Sequence, residues 1–229
     1  MDNTIISYLD MCQREGVNLQ RGMNYRLGKG YSVLLMSIRK NAPYQDEVLE
    51  DGTVLIYEGH DIPKTPNIDD PKAIDQPEKT LSGVLTQNGK FHKAAQDYAQ
   101  GHRKSELVRV YEKIKPGIWS YNGLFRLIDS WVENDGKRNV FKFKLMAIED
   151  EVNKAAHSTL QIHRRRVIPT HVKLEVWQRD KGKCVICGAE DELHFDHIIP
   201  YSKGGTSLLA DNIQLLCARH NLAKRDNIE

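Results

Sequence analysis

The sequence lacks long apolar runs, a signal-peptide pattern and a large net charge, and each lack excludes a class of protein. No stretch of the 229 residues approaches the roughly 18 apolar residues that a membrane-spanning helix requires. The first residues include acidic side chains and no small-residue cleavage site, so we do not expect a signal peptide. A net charge of +2 excludes a strongly basic protein that coats nucleic acid with its whole surface. We therefore expect a cytoplasmic protein with no membrane partner.

What the sequence does contain is the pattern of an α+β protein. Hydrophobic residues make up 40% of the chain, as in ordinary globular domains. Apolar periodicity predicts a first helix at 3–15, and a polar helical stretch covers 148–163. Short apolar runs bounded by turn residues predict strands at 31–38, 53–57, 107–111, 123–128 and 140–145.

Two breaks divide the chain. Prolines among polar residues between 60 and 80 predict a long loop, and loops of that length are often functional. Pro169 marks the expected domain boundary. We therefore predict a first domain at 1–150, a linker at 151–169 and a small second domain at 170–229. In the linker, the consecutive arginines at 164–166 are either a DNA-binding patch or a solvated face.

Three of the four cysteines cluster near the C-terminus, while Cys12 stands alone. Cys184 and Cys187 form a CxxC pair, and Cys217 and His220 form a CxxH pair. Two such pairs supply the four tetrahedral ligands of a structural Zn²⁺ site. Disulfides are the alternative, but the reducing cytoplasm favours a metal. The predicted second domain is too small to bury a large hydrophobic core, so we expect a bound Zn²⁺ ion to stabilise its fold.

A second motif lies between and after these half-sites. It consists of DHIIPxSxGG from Asp196, DNIQLLC from Asp211 and HNxxK ending at Lys224. Together with the CxxCG and CxxH pieces, this span resembles the HNH (ββα-metal) nuclease family, in the subgroup with a zinc knuckle. The resemblance covers nearly all of 170–229. It implies an endodeoxyribonuclease, a hydrolase of phosphodiester bonds.

The residues of this motif suit phosphodiester hydrolysis. His197 can be a neutral base near pH 7, and Asp196 is a hard oxygen ligand for Mg²⁺ or Mn²⁺. The resemblance implies that His197 is the general base and that Asp196 and Asn221 bind the catalytic metal. It also implies that Asn212 orients the His197 segment and that Lys224 steadies the substrate phosphate. Taken singly, Asp196 and Asn212 could be caps and Lys224 a solvated helix residue.

The first domain contains a second set of recognisable segments. They are YQDEV from Tyr44, Asp51-Gly52, YEG from Tyr57, LTQN from Leu85, VRV from Val108 and YNGLFRLIDSW from Tyr121. Together they resemble the SRA (YDG) family, which binds modified cytosine by flipping it out of the helix. The YDG signature is present as YNG, a Glu stands where the family usually has Asp, and one extra residue separates the two pocket tyrosines. The resemblance implies a curved β-barrel with flanking helices.

This second resemblance implies a pocket for the flipped base. Tyr44 and Tyr57 would supply aromatic faces, and Glu47 would accept a hydrogen bond from the cytosine amino group. The structural alternative is that Tyr57 and Trp131 are aromatic residues of the sheet core. In that case, Asp46 and Glu47 are simply loop acids.

Together these features predict a modification-dependent endonuclease. It has an α+β fold, in which an SRA-like curved β-barrel precedes a small zinc-stapled ββα-metal HNH domain. Its partner is double-stranded DNA that contains 5-methylcytosine or 5-hydroxymethylcytosine, and its role is restriction of modified DNA. A homodimer is expected because one HNH site cuts one strand. The alternatives are an HNH endonuclease for unmodified DNA, of homing or conventional restriction type, and a non-catalytic zinc DNA-binding protein.

Overall fold

The computed structural model describes residues 3–27, 30–39, 41–49, 53–148, 167–200 and 203–224. In these ranges the chain is an α+β protein with one large sheet and one two-stranded sheet, which confirms the predicted fold class. No helix of the described residues is both long and apolar enough to cross a membrane. The predicted turn at 51–52, the arginines at 164–166 and all but the first residue of the predicted helix at 148–163 lie outside the described residues.

The large sheet contains eight strands in the order β2-β3-β6-β7-β8-β5-β4, and β1 also pairs with β7. Neighbouring strands are antiparallel except for the parallel pair β3 and β6. The strands are β1 (Ile5–Ser7), β2 (Met23–Asn24), β3 (Ser32–Met36), β4 (Glu47–Leu49), β5 (Val54–Glu58), β6 (Glu106–Lys115), β7 (Ile118–Asn134) and β8 (Asn139–Ala147).

The described sheet is open, which corrects the predicted barrel. Its two end strands, β2 and β4, are not paired with each other. They have only two and three residues, so they offer few backbone groups for closure. Irregularities at Val110/Tyr111 and Leu127/Asp129 interrupt the long central strands, and such bulges bend a sheet.

The first helix, α1 (Tyr8–Glu15), is shorter than the predicted helix at 3–15. Ser7 caps it by accepting a hydrogen bond from the Asp10 backbone N–H. The preceding residues pair with β7 as β1 because strand pairing satisfies their backbone groups and buries their apolar side chains.

A second helix, α2 (Gln87–Ala99), was not predicted. Thr86 caps its N-terminus, and Phe91, Ala94 and Ala95 are buried at helical spacing against the main core of the sheet. Two of these three positions are alanines, so the apolar stripe is weak in the sequence. Between β5 and α2, the predicted long loop is confirmed, with only one short 3₁₀ turn at Pro71–Ala73.

The C-terminal part begins with α3 (Thr170–Arg179) and continues with β9 (Leu193–His197), β10 (Ile213–Cys217) and α4 (Ala218–Lys224). The strands β9 and β10 form an antiparallel pair, and α4 follows β10 directly, which gives the expected ββα order. These elements share their own core. The boundary between the two hydrophobic cores lies between Val167 and Ile168. Val167 packs in the core of the large sheet, and Ile168 packs in the C-terminal core.

Candidate nuclease site and base pocket

The four predicted zinc ligands come together in the fold. Their donor atoms all lie within 4.8 Å of one another. The Cys187 and Cys217 sulfurs are 3.8 Å apart, and His220 Nδ1 is 3.4 Å from Cys184 Sγ. Zn–S bonds of about 2.3 Å in a tetrahedron place two sulfurs about 3.8 Å apart. The arrangement therefore fits a tetrahedral metal ion.

The backbone around this cluster also favours metal binding. Burial alone would raise the pKa of the Cys184 thiol. Hydrogen bonds from backbone N–H groups of Cys217, Cys187 and Ile186, with His220, instead lower the pKa to about 6. A thiol with that pKa is readily a thiolate, which is the form that binds metal.

His197 lies at the last position of β9, beside Asp196. Burial lowers the pKa of its imidazole, and Asp196 only partly opposes the shift. The ring is therefore neutral near pH 7, as a general base must be. His197 Nε2 is 2.9 Å from Oγ of the buried Ser207. When that nitrogen carries the hydrogen and donates it to Ser207, Nδ1 is the basic atom.

Asn212 ties the loop after β9 to the strand that follows it. Its Oδ1 accepts a hydrogen bond from the Ile199 N–H at 2.8 Å. Its Nδ2 donates to the carbonyl oxygens of Ile199 and Thr206, each at 3.0 Å. Gly205 is required within this loop, because an added Cβ would lie 1.8 Å from the Ile199 carbonyl oxygen. The side chain of Asn212 thus holds Ile199, two residues after His197, and Thr206, which precedes Ser207.

Lys224 is buried against β9 instead of extending into solvent. Its Nζ donates to Asp196 Oδ2 at 2.6 Å and also to the His197 carbonyl oxygen. The amide of Gln214 reaches the same Asp196 oxygen at 3.5 Å. Among the described residues, no hydrogen bond reaches Asp196 Oδ1, and that oxygen remains available to a cation.

Asn221 lies on α4 one turn before Lys224, and residues three apart share one face of a helix. The contact from Lys224 to Asp196 turns this face toward β9. Asn221 is partly buried, and helical spacing places it on the same face of α4 as Lys224. A carboxylate and an amide oxygen are the hard donors that Mg²⁺ or Mn²⁺ prefers, and this donor set fits such an ion.

In the first domain, a cavity of about 630 Å³ opens beside the long loop. This volume lies within the range of small-molecule sites. Tyr44 lines the cavity, and its ring stacks on His60 with centroids 4.9 Å apart and planes 10° apart. The Lys72 ammonium lies 4.1 Å from the Tyr44 ring centroid.

His60 was not predicted, although it forms half of this aromatic wall. Burial lowers the pKa of its imidazole to about 4, and the ring is neutral. Its backbone is held by a pair of hydrogen bonds with the Asn88 side chain, each 2.8 Å long. Gly22 allows the ring to sit there, since a Cβ at Gly22 would lie 2.6 Å from His60 Nε2. Nothing in the sequence marks His60 except its closeness to Tyr57.

The other two predicted pocket residues do not line the cavity. Tyr57 is buried in the sheet core behind His60, and its hydroxyl is 2.9 Å from His60 Nε2. Glu47 lies exposed on the edge strand β4. The acid that lines the cavity is its neighbour Asp46, which is buried.

Asp46 is held firmly at the cavity. Its two oxygens accept backbone hydrogen bonds from Ser37 and Glu58, each at 3.0 Å. Burial raises the pKa of its carboxyl to about 7, although those two N–H groups oppose the shift. Each oxygen has a second lone pair, so the carboxyl can still accept a hydrogen bond from a ligand.

The rest of the cavity wall carries positive charge and two further aromatic rings, those of Tyr8 and Trp119. Arg21, Arg39 and Lys113 all line it, and Lys113 lies 5.6 Å from the ring centroid of Trp119, which lines it too. Among the described residues that line the cavity, Asp46 is the only acidic one. A mainly basic rim around an aromatic wall suits an anionic ligand that also carries a ring.

Comparison with known proteins supports the C-terminal assignment. Residues 184–227 match the family model described as HNH endonuclease, so the chain contains an HNH domain. The HNH resemblance predicted from the sequence is thereby confirmed over these residues. No curated protein matches the chain significantly.

The chain is also similar to solved SRA structures. The SUVH5 SRA domain in complex with hemimethylated CG DNA is 26% identical, with 62% of this chain and 85% of that chain covered and a TM-score of 0.42. The SUVH5 SRA domain bound to fully hydroxymethylated CG DNA is 23% identical, with the same coverage and a TM-score of 0.40. SUVH6 of Arabidopsis thaliana in complex with SAM is 20% identical, with 71% and 29% covered and a TM-score of 0.41. Because each TM-score is below 0.5, we assign no function from these likenesses.

Proposed function

We propose that the protein is an endonuclease that recognises modified cytosine in double-stranded DNA and hydrolyses a nearby phosphodiester bond. The observation that carries the proposal is the ββα arrangement beside the zinc-type cluster. It places a neutral His197 next to Asp196 and turns one face of α4 toward both. These groups supply a base and hard metal ligands within one small site.

In this reaction His197 acts as the general base. Its Nδ1 takes a proton from a water molecule while the water oxygen bonds to phosphorus. The bond from phosphorus to the leaving oxygen breaks, and that oxygen takes a proton from solvent. A Mg²⁺ or Mn²⁺ ion bound by Asp196 and Asn221 would offset the negative charge on the leaving oxygen.

The neighbouring side chains position these groups. Asn212 holds the loop that carries Ser207, and Ser207 holds the His197 ring by its Nε2. We assign Lys224 to positioning of Asp196, because it contacts the carboxylate directly. Its charge also lies where it would attract the substrate phosphate. A Zn²⁺ ion held by Cys184, Cys187, Cys217 and His220 would stabilise the module.

The cavity of the first domain is the proposed site for the flipped base. A cytosine would stack on the wall formed by Tyr44 and His60. Asp46 would accept a hydrogen bond from the cytosine amino group, which a thymine cannot donate. It would thus take the role that the sequence assigns to Glu47. Arg21, Arg39 and Lys113 would contact the DNA backbone at the rim.

Such an enzyme would restrict DNA that carries 5-methylcytosine or 5-hydroxymethylcytosine. The nuclease half is tested by incubating the purified protein with plasmid DNA from a cytosine-methylating host. We expect cleavage with Mg²⁺ or Mn²⁺, and none with His197→Ala, while His197→Ala still binds the DNA. Cleavage by His197→Ala at the wild-type rate would refute the assignment of the base. DNA binding without cleavage by the wild-type protein would favour a non-catalytic zinc protein.

A further inference from the structure

A buried ion pair joins the large sheet to the HNH domain. Lys173 on α3 donates to Glu112 Oε2 on β6 at 2.6 Å, and both side chains are fully buried. Asn122 on β7 completes the network, because it accepts from Lys173 at 2.8 Å and donates to Glu112 at 2.9 Å. Thr170 donates to the other Glu112 oxygen.

Such a network permits little movement between the parts that it joins. A buried charge is tolerated only when its partners lie at hydrogen-bonding distance, and any sliding of α3 over β6 would leave the Lys173 or Glu112 charge unpaired. The two long side chains are therefore held in one arrangement. This arrangement sets the placement of α3 relative to the sheet.

The N-terminal segment makes a second junction. The Asn3 carbonyl accepts a hydrogen bond from the Phe195 N–H on β9, and the Thr4 carbonyl accepts one from the Tyr121 N–H on β7. The next two residues point into different cores: Ile5 packs in the core of the HNH domain and Ile6 in the core beneath α1. The segment thus connects β7 with the strand that ends in Asp196 and His197.

Both junctions lie next to the walls of the base cavity. Glu112 faces the HNH domain, and its neighbour Lys113 lines the cavity, as expected for successive residues of a strand. Ile6 is paired with Trp119, which lines the cavity too. The paired segment at the N-terminus therefore runs from a strand of the cavity wall to the strand that carries Asp196 and His197.

We propose that the reader and the nuclease form one rigid body, and that the junction through Glu112 and Lys173 fixes the distance from the flipped base to the cut. The inference rests on the proposed function. If both proposals hold, cleavage occurs at a fixed distance from the modified base. A nuclease on a loose tether would instead cut over a range of positions.

The test uses an end-labelled duplex with one 5-methylcytosine and compares cut positions for three proteins. Wild type should cut within one narrow window. Glu112→Gln/Lys173→Met replaces the ion pair by neutral groups of similar size, and its cuts should spread to positions that wild type does not use. Lys93→Met/Asp97→Asn removes an exposed ion pair on α2, and its cuts should match wild type. Unchanged cut positions in the Glu112/Lys173 variant would overturn the inference.

A second measurement separates this inference from the proposed function and needs no variant. Backbone ¹⁵N relaxation of the wild-type protein reports how each domain tumbles. A fixed distance between the two sites requires one rotational correlation time for the residues of β6, β7, β9 and α3. Two distinct correlation times would overturn it, even if the protein cuts modified DNA. If the protein shows one correlation time but cuts no DNA, the rigid connection between the domains is supported and the proposed nuclease activity is refuted.

Discussion

The clearest test of the base pocket is a comparison of two neighbouring acids. Asp46 is buried in the cavity wall, whereas Glu47 is exposed on β4 outside it. Asp46→Asn removes a carboxylate that would accept from the cytosine amino group. A hydrogen bond to a charged group contributes about 1.5–3 kcal/mol, which corresponds to about 10- to 100-fold in binding. Glu47→Gln should change binding by less than about twofold, because an exposed charge outside the cavity contributes little.

Binding is measured in the His197→Ala background, so that the DNA stays intact, with duplexes that do or do not carry one 5-methylcytosine. The assay belongs at pH 8, since burial raises the pKa of the Asp46 carboxyl to about 7 and the group is ionised above it. Asp46→Asn also turns an amide N–H toward one of two backbone N–H groups, so it should cost about 1–3 kcal/mol of stability. A urea unfolding curve shows whether the variant is folded. The assignment is refuted if Asp46→Asn binds modified DNA like wild type, or if Glu47→Gln loses as much affinity.

Three further predictions concern the stability of the folded protein and the nuclease site. Cys184→Ser should release the zinc and unfold the HNH domain, which elemental analysis and circular dichroism would show; full zinc retention would contradict the site. Asn212→Ala removes three hydrogen bonds to the backbone, so it should destabilise the protein by about 2–4 kcal/mol and slow cleavage more than it weakens DNA binding. The Asp46 carboxyl has a pKa of about 7 in the folded protein, so it binds its proton more tightly there than in the unfolded chain. The free energy of unfolding should therefore fall as the pH rises from about 4 to 7. Urea unfolding at pH 5 and pH 8 should show this fall in wild type and a smaller one in Asp46→Asn; equal pH dependence would show that the carboxyl is not buried in its neutral form.

The zinc cluster and the HNH motif were predictable because their residues are close in sequence. The spacing of Cys184 from Cys187, and of Cys217 from His220, is itself the geometry of two chelating turns. The proximity of Lys224 to Asp196 follows once β10 leads directly into α4. Strands at 31–38 and 140–145 were also found, the first from an apolar run and the second from the alternation of apolar and charged residues.

The lining of the cavity could not be predicted from the sequence because it depends on strand register. Asp46 and Glu47 are adjacent, and the one that lines the cavity is decided by where β4 begins to pair with β5. In the same way, Tyr57 lies on the core side of its strand, and its place near the wall is taken by His60 from the following loop. Pairing of this kind is a property of the folded sheet and leaves no local mark in the sequence.

The same limit applies to the junction between the domains. Lys173 is an ordinary polar residue of a helix by its sequence, and its burial against Glu112 arises from contacts between distant segments. No local sequence pattern predicts that the segment around Thr4 pairs with both β7 and β9.

The most direct test of the central claim is single-turnover cleavage of two synthetic duplexes that differ by one 5-methyl group on one cytosine. The protein is in excess, with Mg²⁺ or Mn²⁺ present, and both strands are labelled. We predict that the methylated duplex is cut near the modified base while the unmodified duplex stays largely intact over the same time. Equal rates on the two duplexes would contradict modification-dependent recognition.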